Sequence, residues 1–377
     1  MYLEEHAIFR SAFRKFLAQE VIPHLPVWER EGIVPRDAWR KMGESGFLCS
    51  WLPEEYGGSG ADFLYSVIIT EELCRAGAIG FMAPLHSDII APYIHHLGTD
   101  EQKRRWLPGC ASGEIVLAIG MTEPDAGSDL GGLKTRAERD GNEYVINGAK
   151  TFISNGIRSD LVIVACRTEK GAKGSRGISL ICVERDSPGF QRGRKIEKMG
   201  LHSQDTTELI FEDCRVPAGN RLGAEGKGFH YLMEHLQQER LVCSVMAQAM
   251  AEAMLEMTVR YTKERKVFGK PICSLQHNAF KIVEMATEIE LGRAFLERLI
   301  GKHIRGESAV TEVSMAKGWI PEMANRVAYH CVQLHGGYGY TEEYPICRFS
   351  RDARVIAIFA GTTEVMKHII AKNMELT

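Results

Sequence analysis

Strong charge of either sign, a paired-cysteine motif and a repeat are all missing from this sequence. The formal net charge is only -3 over 377 residues, which gives no reason to expect nucleic acid as a partner. Ten cysteines lie scattered, mostly within apolar runs and never as C-x-x-C. That argues against a zinc site and a disulfide framework, and for reduced, mostly buried thiols; no metal site is expected. The first residues, MYLEEHAIFRSAF, carry acidic side chains early and no uninterrupted apolar run, so the expectation is a cytoplasmic chain without a secretory signal, an Arg-rich transit peptide or membrane insertion. No fixed-period repeat and no low-complexity segment is visible. What is present is the 45% hydrophobic and 25% charged composition of an ordinary globular protein, long enough for two or three cores.

One stretch lacks glycine and proline altogether: residues 229–257, FHYLMEHLQQERLVCSVMAQAMAEAMLEM, which predicts a long helix. Phe229, Leu232, Leu236, Cys243, Met246, Met250 and Met257 recur at spacings of three, four and seven, giving one apolar stripe. At about 100° per residue Glu239 falls inside that stripe, and Arg240 at its edge beside Met233 and Ala247. A carboxylate facing a core has its charged form disfavoured and its pKa raised, which suits proton abstraction near neutral pH. The alternative is an ion pair with Arg240 or another neighbouring cation.

The rest of the chain divides into three by period. In residues 1–114, Phe9, Phe13, Phe16 and Val21 repeat at helical spacing as far as Pro23. A helix with Trp39 and Met42 stops at Gly43 or Gly46, and 63–74 reads as an all-round apolar helix. Thr99 with Gln102 forms a capping box for a short helix ending near Pro108. In residues 115–218 the runs EYVING, DLVIVACR, GISLICVE and TELIFEDCRV read as strands, with Asp140-Gly141 a hairpin turn and GAKGSR an exposed loop. Residues 219–377 return to helical periodicity over 282–304 and 310–334, a bundle. The fold class is α+β, with a cleft between a β domain and a helical bundle where Gly-rich loops meet.

Two loops at that cleft have polar chemistry. Residues 122–129, TEPDAGSD, can present hydroxyls and backbone N–H groups to a polar ring edge or an anion, or can be simply a tight turn. Residues 150–156, KTFISNG, read as a second such loop with an aromatic and a hydroxyl. These motifs recur in order with KMGLHSQDTTELIFEDCRVP (198–217), ERKVFGKPICSLQ (264–276), QLHGGYGYTEEYP (333–345) and RDARVIAIFAGTTEVM (351–366). Across nearly the whole chain the sequence resembles the acyl-CoA dehydrogenases.

The resemblance implies FAD, an acyl-CoA substrate, an N-terminal helical domain, a middle β domain and a C-terminal four-helix bundle. It also implies a homotetramer, an electron-transfer flavoprotein as acceptor, and a place in fatty-acid β-oxidation. Ile119, Met121, Thr122, Phe152 and Ser154 are expected around the isoalloxazine. Arg265, Phe268 and Gln276, with Gln333 and Gly337 from a neighbouring subunit, are expected to hold the pyrophosphate and adenosine portion, with Thr362 and Glu364 nearby. Ser128 and Arg240 resemble residues that contact the CoA part of the substrate.

One departure matters: where most of the family carries its catalytic glutamate, this chain has Ala360. The long-chain and isovaleryl subgroups instead place it on the long helix before an arginine, as in Gln238-Glu239-Arg240, so Glu239 is expected to take the α proton while the β hydride leaves to flavin N5. The Ala360 N–H survives the side-chain change and can still meet the thioester carbonyl. Asp88, in LHSDI, is read as a cap for a helix from Ile89 onward, with a second carboxylate at the cleft as the alternative. An oxidase-like relative that uses O₂ and a catalytically silent flavin- or acyl-CoA-binding protein remain alternatives.

Overall fold

The computed structural model describes residues 2–376. The chain opens with α1 (Glu4–Phe16), whose Phe13 and Phe16 turn inward, then a π-helical turn (Leu17–Val21) and a 3-10 turn (Ile22–His24) that lead into α2 (Leu25–Glu31). Gly32, at φ 71, ends α2 in the left-handed region that glycine enters without strain. Next come α3 (Arg36–Glu44) and α4 (Phe63–Arg75), whose first turn is capped by the Asp62 carboxylate accepting from Leu64 N–H at 2.8 Å. A second π turn (Leu85–Ile90) runs straight into α5 (Ala91–Leu97). The expected capping box at Thr99 and Gln102 starts α6, Asp100–Ser112. That helix does not end near Pro108: it carries the proline inside, because Trp106, Leu107, Cys110 and Ala111 are buried on both sides of it and packing outweighs one lost backbone bond.

The sheet is built from β1 (Leu117–Gly120), β2 (Arg136–Asp140), β3 (Glu143–Ser154), β4 (Leu161–Arg167), β5 (Ile178–Glu184), β6 (Phe190–Lys195), β7 (Thr206–Pro217) and β8 (Arg221–Leu222). Its order is β6-β7-β3-β2-β4-β5-β8, with β1 parallel to β4. Strand β4 is apolar without alternation because both faces are covered. Val162, Val164 and Cys166 pack into the sheet's own core with Ile146 and Val183, while Leu161, Ile163 and Ala165 join the core shared with the helices.

Three long helices and their connections complete the chain: α7 (Gly228–Glu264), a hairpin of β9 (Lys266–Val267) and β10 (Lys270–Pro271), α8 (Gln276–Ile304), α9 (Val310–His335), α10 (Pro345–Arg354) and α11 (Thr363–Asn373). The single apolar stripe expected along α7 is corrected for its centre, where residues 239–251 are buried on every side. The reason is position: α4, α8 and α9 all pack on this helix, so no face there meets water. By length and composition α7 could cross a membrane, with a mean hydropathy of 1.2, but 72% of that window is buried within the protein. All ten cysteines are free thiols, and all but Cys273 and Cys347 are buried.

Candidate active site

Of the expected loop over 150–156, residues 150–154 are the end of strand β3, which pairs with β7 to Ser154, and only Asn155 and Gly156 lie in the turn that follows. Lys150 faces Leu209 and Ile153 faces Thr207, so β3 carries an extra residue, a bulge of the kind that re-aims side chains. Phe152 sits in that bulge at φ 59, and 65% of it is exposed. Few bulky residues adopt this backbone region, and the strain is held by what surrounds it. Beneath lies a buried ion pair: Lys150 Nζ donates to Glu123 Oε1 at 2.8 Å and to the Met121 carbonyl at 3.1 Å. Burial alone would raise the Glu123 carboxyl, but Lys150 and the N–H groups of Lys134 and Thr135 outweigh it and hold Glu123 below the ordinary range. Residues 123–126 do form a tight turn, closed by Glu123 N–H to the Ala126 carbonyl at 2.9 Å. The turn does not exclude the alternative of a ligand-facing loop, because Met121 and Thr122 line a cavity.

That inner cavity, of about 140 Å³, is lined by Ile119, Met121, Thr122, Phe152 and Ser154 from the sheet, Glu239 from α7, and Ala360. Its far end is apolar, closed by Met82, Leu85, Ile89 and Met246. A larger outer cavity of about 460 Å³ shares Met121, Thr122, Glu239 and Ala360 with it and continues past Ser128 and Arg240. Nine residues singled out in the sequence for the flavin ring, the reacting carbon and the CoA portion thus line two cavities that share four of them.

Glu239 is 3% exposed and makes no salt bridge among the described residues. Arg240, its partner in the alternative ion-pair reading, is turned away, since successive helical residues do not face each other. Instead Tyr93 on α5 donates its hydroxyl proton to Glu239 Oε1 at 2.7 Å. Burial pushes the Glu239 carboxyl up to about 7, against smaller downward effects of the Tyr93 hydrogen bond and Arg240. Tyr93 itself is held by stacking on His235, ring centroids 4.1 Å apart. Nothing in the sequence marked Tyr93: it lies 146 residues from Glu239 inside an apolar run, where a tyrosine reads as core. Arg240 is 5% exposed, donates to Ser314 Oγ at 3.4 Å, and leaves its Nε without a partner among the described residues. An orphaned guanidinium N–H at a cavity wall suits a polar or anionic ligand group.

Ala360 stands between a 3-10 turn (Val355–Ala357) and α11, at φ 51. Among the described residues no acceptor lies on its N–H. Glu239 and Ala360, the latter with its main-chain donor unspent, therefore line one space, and a carboxylate with a free N–H donor is the pairing that enolate chemistry requires.

Asp88 is corrected. It does not cap a helix at Ile89, because the π turn passes into α5 without free N–H groups to cap. Its Oδ1 accepts from Ser66 Oγ at 2.6 Å, its carbonyl accepts from Gln238 Nε2 at 2.6 Å, and burial raises its carboxyl to about 7. It is absent from the inner cavity wall.

The remaining expected cofactor residues lie apart. Arg265, Gln333 and Gly337 line a separate cavity of about 480 Å³ that shares no residue with the inner one. Arg265 and the pair Gln333 and Gly337 were expected from different subunits; here they converge on one chain. Arg265 lies over the Tyr338 ring at 5.6 Å. An added Cβ at Gly336 or Gly337 would meet nothing within 4 Å, so an anion has open backbone to approach. Phe268 is 92% exposed at the tip of the β9–β10 hairpin, with Phe268 and Gly269 both at positive φ. Turns of that kind ordinarily take Asn or Gly, so an exposed phenylalanine there is held in a strained backbone position. Gln276 is exposed at the start of α8. Thr362 caps α11 through its Oγ accepting from Val365 N–H at 3.3 Å, and Glu364 lies in that helix's first turn. A strained aromatic beside two hydroxyls, and a cation beside bare glycines, fit the ring and the diphosphate of a flavin dinucleotide.

Three family descriptions match consecutive stretches: the acyl-CoA dehydrogenase N-terminal domain over residues 3–114, the middle domain over 118–214 and the C-terminal domain over 226–375. The chain is 46% identical over 375 residues to the long-chain specific acyl-CoA dehydrogenase of Sus scrofa, covering 99% of this chain and 87% of that one. It is 38% identical over 372 residues to an acyl-CoA dehydrogenase of Bacillus subtilis, covering 98% of each. A crystal structure of an acyl-CoA dehydrogenase from Geobacillus kaustophilus superposes with a TM-score of 0.98 at 58% identity, covering 100% of this chain and 99% of that one.

Proposed function

Since the chain belongs to the acyl-CoA dehydrogenase family, flavoprotein oxidoreductases acting on the CH–CH group of acyl-CoA in fatty-acid β-oxidation, we propose that it converts an acyl-CoA to a trans-2-enoyl-CoA with Glu239 as the base. The observation that carries this is Glu239 itself: a carboxylate at the wall common to both cavities, pushed up to about 7 by burial and with no ion-pair partner among the described residues. A base of that pKa is half deprotonated near neutral pH and still strong enough to compete for a thioester α proton. The Ala360 N–H donates to the thioester carbonyl oxygen as negative charge grows there. Arg240 and Ser128 line the outer cavity and hold the polar CoA portion, while the apolar end beyond Met246 takes the acyl chain. Closure of the site by these residues removes water and strengthens both interactions.

Ile119, Met121, Thr122, Phe152 and Ser154 would hold the FAD ring, with Arg265, Phe268, Gln276, Gln333 and Gly337, near Thr362 and Glu364, at its diphosphate and adenosine. When bound, FAD supplies the acceptor for the hydride leaving the β carbon. Because the Arg265 cavity and the ring residues share no wall, the reading includes a homotetramer in which one copy's Arg265 set serves another copy's cofactor. An electron-transfer flavoprotein is the proposed acceptor.

The experiment is an anaerobic panel of straight, branched and cyclic acyl-CoAs, read as loss of flavin absorbance. Bleaching by at least one class is expected; no bleaching by any would overturn the assignment. Arg265→Ala should weaken FAD retention about 10-fold or more, the usual worth of a charge-assisted contact, as followed by flavin release on dilution.

Tyr93→Phe tests the ionisation of the base. The Tyr93 hydroxyl favours the charged carboxylate, so its loss should move the acid limb of kcat/KM from near 7 to higher pH by about one unit. A rate profile with its acid limb unmoved would show that Tyr93 does not act on Glu239.

A further inference from the structure

Lys317, on α9, is fully buried, and its ammonium has no carboxylate within salt-bridge distance among the described residues. Its Nζ donates to two backbone carbonyls instead, Ile356 O at 2.7 Å and Gly361 O at 2.8 Å. A desolvated cation spent on two loop carbonyls is an expensive way to hold a turn unless the turn must be held to close tolerance. The loop it grips contains Ala360, at φ 51, and Gly361, at φ 90, where an added Cβ would stand 2.7 Å from Met366 Cε. One turn further along α9, Glu322 accepts from Thr363 Oγ1 at 2.7 Å, so the same helix also fixes the residue where α11 begins. The two carbonyls bracket Ala360, which lines the inner cavity.

We infer that Lys317 is a positioning residue for the reaction: its clamp on Ile356 and Gly361 aims the Ala360 N–H at the thioester oxygen and sets a positive charge behind the site where enolate charge develops. The inference rests on the proposed role of Ala360 and deepens it. With no side chain on the loop to do chemistry, everything the loop contributes depends on main-chain geometry, and Lys317 holds that geometry from outside the cavity. It touches no lining group of the inner cavity through a hydrogen bond, which separates its role from that of Glu239. Preorganised donors of this sort contribute because they need no reorientation as charge builds.

The test uses the FAD-loaded enzyme and an acyl-CoA in which sulfur replaces the β carbon. Such a compound cannot lose a β hydride, so its α protons exchange with D₂O only through proton removal and enolate stabilisation. Mass spectrometry of the recovered thioester gives the exchange rate, and infrared spectroscopy gives the carbonyl stretch of the bound compound. Wild-type enzyme should exchange the α protons, and Glu239→Gln should not. Lys317→Met, at unchanged FAD content, should exchange at least 10-fold more slowly, with the carbonyl stretch moved back toward its value in water. Where Lys317→Met does not accumulate as folded holoenzyme, Lys317→Gln is read against the same threshold. Exchange within 2-fold of wild type and an unmoved carbonyl stretch overturn the role of Lys317 alone. Absence of exchange in the wild type overturns the proposed reading of Glu239 and Ala360, and this inference with it.

Discussion

Glu239→Gln is expected to slow flavin reduction by a good acyl-CoA at least ~100-fold while FAD content stays nearly unchanged, the usual contribution of a positioned base. The substitution keeps size and keeps an oxygen for the Tyr93 hydroxyl, which donates to Glu239 Oε1 at 2.7 Å. The loss therefore isolates proton-accepting power. A structural explanation for such a loss is hard to build, because Glu239 forms no ion pair whose breaking would strand Arg240; that guanidinium already contacts Ser314. Adding Ala360→Glu in the Glu239→Gln background should restore part of the rate, since Ala360 lines the same cavity from the opposite element and already holds its positive φ with a Cβ. Rapid-mixing absorbance at the flavin band measures all three proteins. Near wild-type reduction by Glu239→Gln would remove it as the base. Asp88, the other buried carboxyl raised to about 7, would inherit the question despite its engagement with Ser66.

Lys150→Met should be the most destabilising single change at the flavin-facing turn, by about 3–5 kcal/mol, the range for stripping one partner from a buried ion pair. Lys150 is fully buried and Glu123 is 5% exposed, so methionine would leave a carboxylate in the interior with only two backbone N–H donors. The Met121 carbonyl would lose its donor in the same step. Urea titration of the holoenzyme measures the effect. The double variant Lys150→Met with Glu123→Gln should recover much of the loss, because the orphaned charge is gone. A single variant within 1 kcal/mol of wild type would mean the pair contributes nothing beyond its volume.

How much of this was legible in advance depended on whether a residue's significance was local. Glu239 could be found because helical periodicity alone placed a carboxylate among apolar neighbours; that the helix is buried all round at 239–251 only reinforces the anomaly. The fold class followed from the change of period near residue 115 and back after 218. Periodicity misjudged what tertiary packing decides. Pro108 stays inside α6, KTFIS belongs to a bulged strand with only Asn155 and Gly156 in a turn, and Asp88 lies in a π turn whose hydrogen-bond pattern has no sequence signature. Tyr93 and Lys317 were invisible for a related reason. Each acts on a group far along the chain, and a buried tyrosine or a helical lysine has no spacing that would betray its partner. The family resemblance supplied the roles of Arg265, Gln333 and Gly337, but only the coordinates bring them into one cavity on one chain.

The burial of α7 on every face has a consequence for how the protein loses function. An element packed by α4, α8 and α9 cannot open by itself; its backbone is released only when those neighbours separate, in the same cooperative unit as the core. Glu239 thus rides on the element whose release requires the most of the surrounding structure to separate, whereas the 355–362 loop depends on the Lys317 clamp on Ile356 and Gly361 to stay in place. The two-residue hairpin carrying Phe268 lies at the other extreme. Heat or denaturant should accordingly reach the Phe268 hairpin long before it reaches Glu239, which stays in place until the fold as a whole gives way.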